Sequence, residues 1–348
     1  EVDGEALKES VLQDKRIEEA RLEVVVPGEK VRVTGIRDVV EPRVKVEGKG
    51  QVFPGILGPV ALVGEGRTHR LSGMAVLAAA KYEGIIRSGT DMERSAILDM
   101  WGPGAAASRF SALVNLALTL RLTEGLAELE AHTVIQRAEL VVAKRLAEAT
   151  LGLKPEKNVE VYDLSEEKQD LPRVVLIQGC MTESDSPHSG VSYYGLPIRE
   201  SLATVVHPNE LLDGAVGVNC TRGVCHHPTT WDWQNHPLVL GLYREHGRRL
   251  NFAGMILERI RFVTHHGKEV IALNTANLGA TLRADGALVT WVGGGNAFVD
   301  VMLTMQACEQ RGIKTVLVGY ESGVKGGDAP LLYYVPEADA VVSTGSRN

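Results

Sequence analysis

Aromatic residues make up only 5% of this 348-residue chain, and it holds just 4 cysteines. Each scarcity excludes something. Cys180, Cys220, Cys225 and Cys308 are too few in a chain of this length to form a disulfide framework. The expected setting is a reducing cytoplasm, where thiols are structural, metal-binding or catalytic. No apolar run approaches the roughly eighteen residues that a membrane span requires. No basic stripe is present, and the net charge is -7, which argues against nucleic acid as a main partner. Lys144-Arg145 and Arg248-Arg249 fall inside helix-like patterns. No signal peptide is read at the amino end, which opens Glu1-Val2-Asp3-Gly4 without a methionine. Internal repeats, low-complexity tracts and a G-x-S-x-G nucleophile elbow are all missing.

What is there divides into two halves of different character. Residues 1–15 read as a short helix. Leu22–Val26, Val31–Ile36 and Val39–Val46 read as short antiparallel strands separated by Pro27-Gly28 and Glu41-Pro42. Val60–Val63, Met74–Ala80 and Leu113–Leu120 read as further strands. Across 126–152, Val134, Ala138, Val141, Leu146 and Ala149 recur at three- and four-residue steps, which predicts a long helix closed near Gly152. The charged stretch 153–171 reads as a connection. Beyond it, Arg173–Ile177 and Phe252–Leu257 are continuous apolar runs, as in strands buried on both faces. Gly286–Val292, the turn Gly293–Asn296, a helix over Ala297–Arg311 and Ile313–Val318 form a βαβ unit, and Ala340–Ser343 adds a strand. The expected fold is α/β, α+β overall. A β-rich domain with a long helix spans 1–160, and a doubly wound, mostly parallel sheet spans 161–348.

The segment with the most chemistry is Gly214-Ala215-Val216-Gly217-Val218-Asn219-Cys220-Thr221-Arg222-Gly223-Val224-Cys225-His226-His227. An Asn-Cys bond can cut itself. The Cys220 thiol attacks the Asn219 carbonyl and converts the peptide bond to a thioester. Loss of the sulfur by β-elimination and hydrolysis of the remaining enamine leave a pyruvoyl group, an electrophile able to form a Schiff base with an amine. The plain alternative is an ordinary Cys-X4-Cys in a core or loop. Cys220, Cys225, His226 and His227 could also bind zinc as an unprocessed thiol- or metal-dependent hydrolase or lyase, although no second Cys pair accompanies them. A dithiol redox pair lacks its usual Cys-X2-Cys spacing.

Three other segments are candidates for binding. Arg67 and Arg70 could hold a carboxylate and His69 could move protons; the alternative is a polar turn with structural salt bridges. The Gly293-Gly294-Gly295-Asn296 turn opens a helix, so its N–H groups could face an anion, but it does not complete G-x-G-x-x-G. Trp231 and Trp233, two of the 4 tryptophans, could face a cationic amine or simply be core.

Several segments together resemble one family. Val40–Gly48, Val52–Leu57, Gly64–Val76, Asp213–Cys220, Leu242–Phe252, Gly312–Val316 and Ala338–Gly345 are similar, in this order, to the proprotein subunit of component B of glycine, sarcosine and betaine reductases. The D-proline reductase proprotein is a more distant relative. The resemblance implies cleavage before a cysteine that becomes a pyruvoyl group, here at Asn219–Cys220. It also implies a separate selenoprotein subunit whose selenocysteine attacks the carbon bearing the amine. This chain carries no selenocysteine, so it would be the substrate-recognition half of a hetero-oligomer acting on a small amino acid or betaine-like amine. His226 or His227 would carry protons, and Arg67, Arg70 and the Gly294–Asn296 turn would hold a carboxylate. Two features depart from the family pattern: Tyr82–Met100 is long, and the stretch after Cys225 is rich in His and Trp.

Overall fold

The computed structural model describes residues 3–81, 83–86, 95–154, 159–181, 190–198, 201–218, 228–260, 263–292, 295–321, 333–338 and 340–346. In chain order the first elements are α1 (Gly4–Leu12), β1 (Ile17–Val25), β2 (Arg32–Val40), β3 (Arg43–Glu47), β4 (Arg67–Arg70), β5 (Met74–Ala80), β6 (Ala96–Asp99), α2 (Gly102–Ala105), β7 (Val114–Leu122) and α3 (Glu128–Glu148). There follow β8 (Arg173–Met181), β9 (Ser192–Tyr193), β10 (Leu196–Pro197), β11 (Ala203–Val206), α4 (Pro208–Leu212), β12 (Val216–Gly217), α5 (Thr230–Gln234) and α6 (Pro237–Glu245). The last are β13 (Asn251–Ile260), α7 (His265–Thr281), β14 (Gly286–Trp291), α8 (Ala297–Gln310), β15 (Lys314–Glu321) and β16 (Val341–Ser346). They form two compact units, the first built from 1–159, 186–197 and 209–235, the second from 160–185, 198–208 and 236–348.

The first unit is organised by a five-stranded sheet in the order β1-β7-β5-β2-β6. β5 runs parallel to β7; the other pairings are antiparallel. Ala75 through Ala80 of β5 are all buried, so this short alanine-rich strand sits between two packed faces. Val76, Ala78 and Ala80 belong with Leu116, Leu118 and Leu120 to the core under α3, where Val134, Ile135, Ala138 and Val142 meet them. The alternate residues Ala75 and Leu77 face a second cluster with Val33, Val39, Leu98 and Met100. The strand expected at Val60–Val63 is absent. Pro59 offers no ladder donor, Gly64 turns the chain at φ +100°, and Val60 and Leu62 are exposed. Conversely Arg67–Arg70, for which a polar turn is one of two sequence readings, is a strand paired antiparallel with β3.

The second unit is a six-stranded sheet in the order β11-β13-β8-β14-β15-β16, parallel except for the edge strand β11. Along its parallel strands the chain order is 2-1-3-4-5, so the direction of winding reverses between β8 and β14. Val175 and Ile177 of β8 share a core with Ala276 of α7 and with Val301, Met302 and Met305 of α8. Gln178, the residue after Ile177, points the other way, where its Oε1 lies 3.1 Å from Nε2 of His236, the N-cap of α6. The sheet is therefore covered on both faces, as a doubly wound sheet requires.

Ionisable groups lie inside this second core. Lys268 of α7 pairs with Asp300 of α8, both buried. Glu258 of β13 is buried and accepts a hydrogen bond from the Thr304 hydroxyl at 2.6 Å. Burial, more than the nearby Asp300 charge, pushes the Glu258 carboxyl up to about 8. The folded protein thus keeps a proton that the unfolded chain releases near the ordinary glutamate value. This contribution to stability is full below that value and is lost as pH rises through the folded one. Glu258→Gln should cancel the loss: by denaturant unfolding, the variant should gain about 3 kcal/mol on wild type at pH 8.5 relative to pH 5.5.

Candidate functional site

The segment leading into Asn219 is fixed residue by residue within the first unit. Asp213 is buried after α4. Its Oδ2 accepts from Lys45 Nζ at 2.5 Å and from the Gly64 amide at 2.7 Å, and its Oδ1 accepts from the Thr68 hydroxyl at 2.7 Å. Gly214 then turns at φ +77°, and a Cβ there would stand 2.4 Å from the buried Phe53 ring, so no side chain fits. Ala215 donates to the Glu210 carbonyl, Tyr194 donates to the Ala215 carbonyl, and β12 pairs antiparallel with β9. Glu210 also accepts from the phenols of Tyr193 and Tyr194, which ties β9 to α4.

Val218 is held at both of its backbone groups by side chains. Its N–H donates to Thr230 Oγ1 at 3.1 Å, and its carbonyl accepts from Gln136 Nε2 of α3. Thr230 opens α5, whose N-cap Thr229 forms a reciprocal capping box with Asp232. The Thr230 hydroxyl donates to Asp38 Oδ2 of β2, and the Thr230 amide donates to Asp38 Oδ1 at 2.9 Å. The Val39 amide adds a third donor at 2.8 Å. Burial outweighs these donors and pushes the Asp38 carboxyl up to about 7. Beside it lies Glu139 of α3, fully buried. Neither Glu139 oxygen has a well-formed hydrogen-bond partner among the described residues. Burial first, then the adjoining Asp38, holds Glu139 well above the usual carboxylate range. Three donors point at Asp38, so of the two carboxyls it is the one held as an acceptor.

A second polar cluster fastens the chain on either side of this segment. Arg43 is buried and grips Glu41 Oε2 through Nε and Nη2, at 2.9 and 2.6 Å. The same guanidinium donates to the carbonyls of Leu212 and Gln234. Arg70 donates to Glu41 Oε1 at 3.0 Å and to Asn235 Oδ1 at 2.9 Å. Arg67 lies more exposed, 3.7 Å from Glu47, and His69 Nδ1 lies 3.1 Å from the Thr150 hydroxyl.

The other sequence-derived candidates fall as follows. Trp231 is half-buried, edge-on to Phe110 at 5.5 Å, with the Arg109 guanidinium 5.6 Å from its ring centroid. Trp233 is fully buried. Asn296 is exposed at the N-cap of α8 in the second unit. Asn219, Cys220, Cys225, His226, His227 and Gly294 lie outside the described residues. Among the described residues no three His, Cys, Asp or Glu side chains stand together as a metal site. Cys180 and Cys308 are buried free thiols, and burial raises both. No described helix is long and apolar enough to cross a membrane.

Sequence reasoning missed Asp38, Gln136, Glu139, Thr230, Glu41, Arg43 and Asp213. A signal existed for two of them. Glu139 falls on the buried stripe of α3 beside Ile135 and Val142, and Asp38 sits with Arg37 in a strand end otherwise made of Ile36, Val39 and Val40. A carboxylate at a core position is the informative exception. The buried Glu41–Arg43 pair makes a stability prediction. Arg43→Met leaves Glu41 short of its main partner and should lower the denaturant-measured stability by about 3 kcal/mol, whereas Arg67→Met should change it by under about 0.5 kcal/mol.

The sequence has relatives along its whole length. The family described as glycine/sarcosine/betaine reductase component B subunits matches residues 1–348. The chain is 34% identical to the sarcosine reductase complex component B subunit alpha of Peptoclostridium acidaminophilum, over 100% of this chain and 80% of that protein. It is 32% identical to the glycine reductase complex component B subunits alpha and beta of Acetoanaerobium sticklandii, again over 100% and 80%. To the betaine reductase complex component B subunit alpha of Peptoclostridium acidaminophilum it is 33% identical, over 97% and 76%. No solved structure matches. With the match running from the first residue to the last, the chain belongs to the component B subunits of the glycine/sarcosine/betaine reductases.

Proposed function

We propose that this chain is the substrate-binding subunit of an amine reductase of the glycine, sarcosine or betaine type, and that its Asn219–Cys220 bond is cut to make a pyruvoyl group. The family match over the whole chain supports the reaction class. The observation that carries the processing step is the double hold on Val218, which fixes the backbone one residue before the Asn-Cys bond.

The chemistry balances without an external oxidant or reductant. The Cys220 sulfur displaces its own nitrogen at the Asn219 carbonyl, giving a thioester and a free amine. Loss of the Cys220 α-proton breaks the Cβ–S bond, and the sulfur leaves on the upstream chain as a thiocarboxylate. One water hydrolyses the enamine to the keto group and releases ammonia. A second water releases hydrogen sulfide and leaves Asn219 with an ordinary carboxylate. His226 and His227 are the nearest bases in sequence for these proton transfers.

The pyruvoyl carbonyl supplies an electrophile that captures a primary or secondary amine and makes its nitrogen a better leaving group. A quaternary amine has no N–H and is already cationic. For such a substrate an aromatic surface such as Trp231, whose ring already meets the Arg109 cation, replaces that function. Arg67 is the more exposed arginine of β4 and is offered to a substrate carboxylate. In the second unit the turn ending at Asn296 is a separate candidate anion contact. A selenoprotein subunit would then attack the substrate carbon: the C–Se bond forms from the selenolate pair as the C–N pair departs with the amine.

Intact mass of the purified protein tests this directly. The expected result is two chains, 1–219 and 220–348, the second lighter than its cysteine form by the change from cysteine to pyruvoyl and reactive toward phenylhydrazine. Cys220→Ala should stay a single chain. A wild-type protein that remains uncut with a titratable Cys220 thiol would sink the pyruvoyl reading.

A further inference from the structure

The two buried carboxyls behind Val218 have no part in the chemistry described so far. We infer that Asp38, acting through the Thr230 hydroxyl and backed by Glu139, is the positioning residue for the cut at Asn219–Cys220. This rests on the processing reading above and names the device that would aim it.

The hydrogen-bond directions are what argue for it. A hydroxyl has one proton to give. Thr230 Oγ1 accepts from the Val218 amide, so its own proton is free to go to Asp38 Oδ2. Asp38 Oδ1 is meanwhile fixed by the Thr230 and Val39 amides. The relay therefore runs one way, from the Val218 amide through a hydroxyl to a carboxylate, and only an acceptor at Asp38 completes it. The Val218 carbonyl, held by Gln136, belongs to the same rigid peptide plane as the nitrogen of residue 219. Both sides of Val218 are thus set by side chains from α3 and α5 rather than by strand pairing.

Stability alone does not account for the pair. Buried ionisable groups are often replaced by well-packed apolar ones at no loss. Here Glu139 is buried against Asp38 with no well-formed partner among the described residues, while Asp232 of α5 adds a further negative charge to Asp38's surroundings. Such an arrangement makes sense where one acceptor must be held at one spot, opposite the Thr230 hydroxyl and the Thr230 and Val39 amides. The attack of a thiol on the preceding carbonyl is sensitive to placement, and an error of about 1 Å costs on the order of a hundredfold in rate.

The test uses the full chain made by cell-free translation, with conversion into 1–219 and 220–348 followed by intact mass over time. Thr230→Val removes the relay while keeping the side-chain volume and should cut at least about tenfold more slowly than wild type. Thr230→Ser, which restores the hydroxyl, should cut within about twofold of wild type. Asp38→Asn, which turns an acceptor into a donor opposite Oγ1, should be slow like Thr230→Val. If Asp38→Asn does not fold, the Thr230 pair decides alone, because both carboxyls remain in place. Equal rates for wild type and Thr230→Val would overturn the inference and leave the processing reading intact. A wild-type chain that never cuts overturns both.

Discussion

Burying a carboxylate obliges the protein to bring donors to it, and Asp38 makes that demand at the centre of the first unit. The donors come from its own strand through Val39 and from α5 through the amide and hydroxyl of Thr230. Satisfying Asp38 therefore draws a helix nearly two hundred residues away in sequence onto β2. That helix in turn catches Val218, and α3 catches it from the other side through Gln136. A desolvation cost of several kcal/mol, if left unmet, is large beside the net stability of a domain, so the contact is one the fold has to make. The Glu41–Arg43 pair works on the same principle a few residues along, fastening the carbonyls of Leu212 and Gln234.

The second unit follows a different logic. Its sheet is held by apolar strands and by two helices packed on one face. The Lys268–Asp300 pair joins the first turns of α7 and α8 at the carboxyl end of the sheet. That is the end where ligands bind in doubly wound sheets, near the reversal between β8 and β14. Glu258 lies deeper, between β13 and α8, and makes the unit sensitive to pH at the mildly alkaline side.

What the sequence made legible was local. The unit from Gly286 to Val318 alternates apolar runs with a helix and turn signals within reach of one another, and it forms as expected. The long helix closes near its expected Gly152 boundary for the same reason. The pairings that cross long stretches of chain were not legible. β5 lies parallel to β7, and β8 meets β13 only after some seventy residues, because nothing in an apolar run names its partner. Arg67–Arg70 leaves a polar turn or a carboxylate site open since its four residues are polar, and it pairs with β3 as a two-stranded ribbon. The Asn-Cys bond stood out by chemistry alone. The polar groups that hold Val218 did not stand out, because Asp38, Gln136 and Thr230 are spread over almost two hundred residues and become neighbours only when folded.

The path of the chain through the two units has a consequence for what a break at Asn219–Cys220 would produce. The upstream piece contains β8, which lies between β13 and β14 of the downstream piece in the second unit's sheet. The downstream piece contains α5, which closes on β2 of the upstream piece in the first. Each fragment thus completes the other's core. The products would be interlaced halves rather than a released peptide and a remnant, and they would part only if a parallel sheet were torn open along its middle strand. Neither half could be made alone and mixed later without first exposing that sheet, so a chain broken there would have to fold whole before it divided.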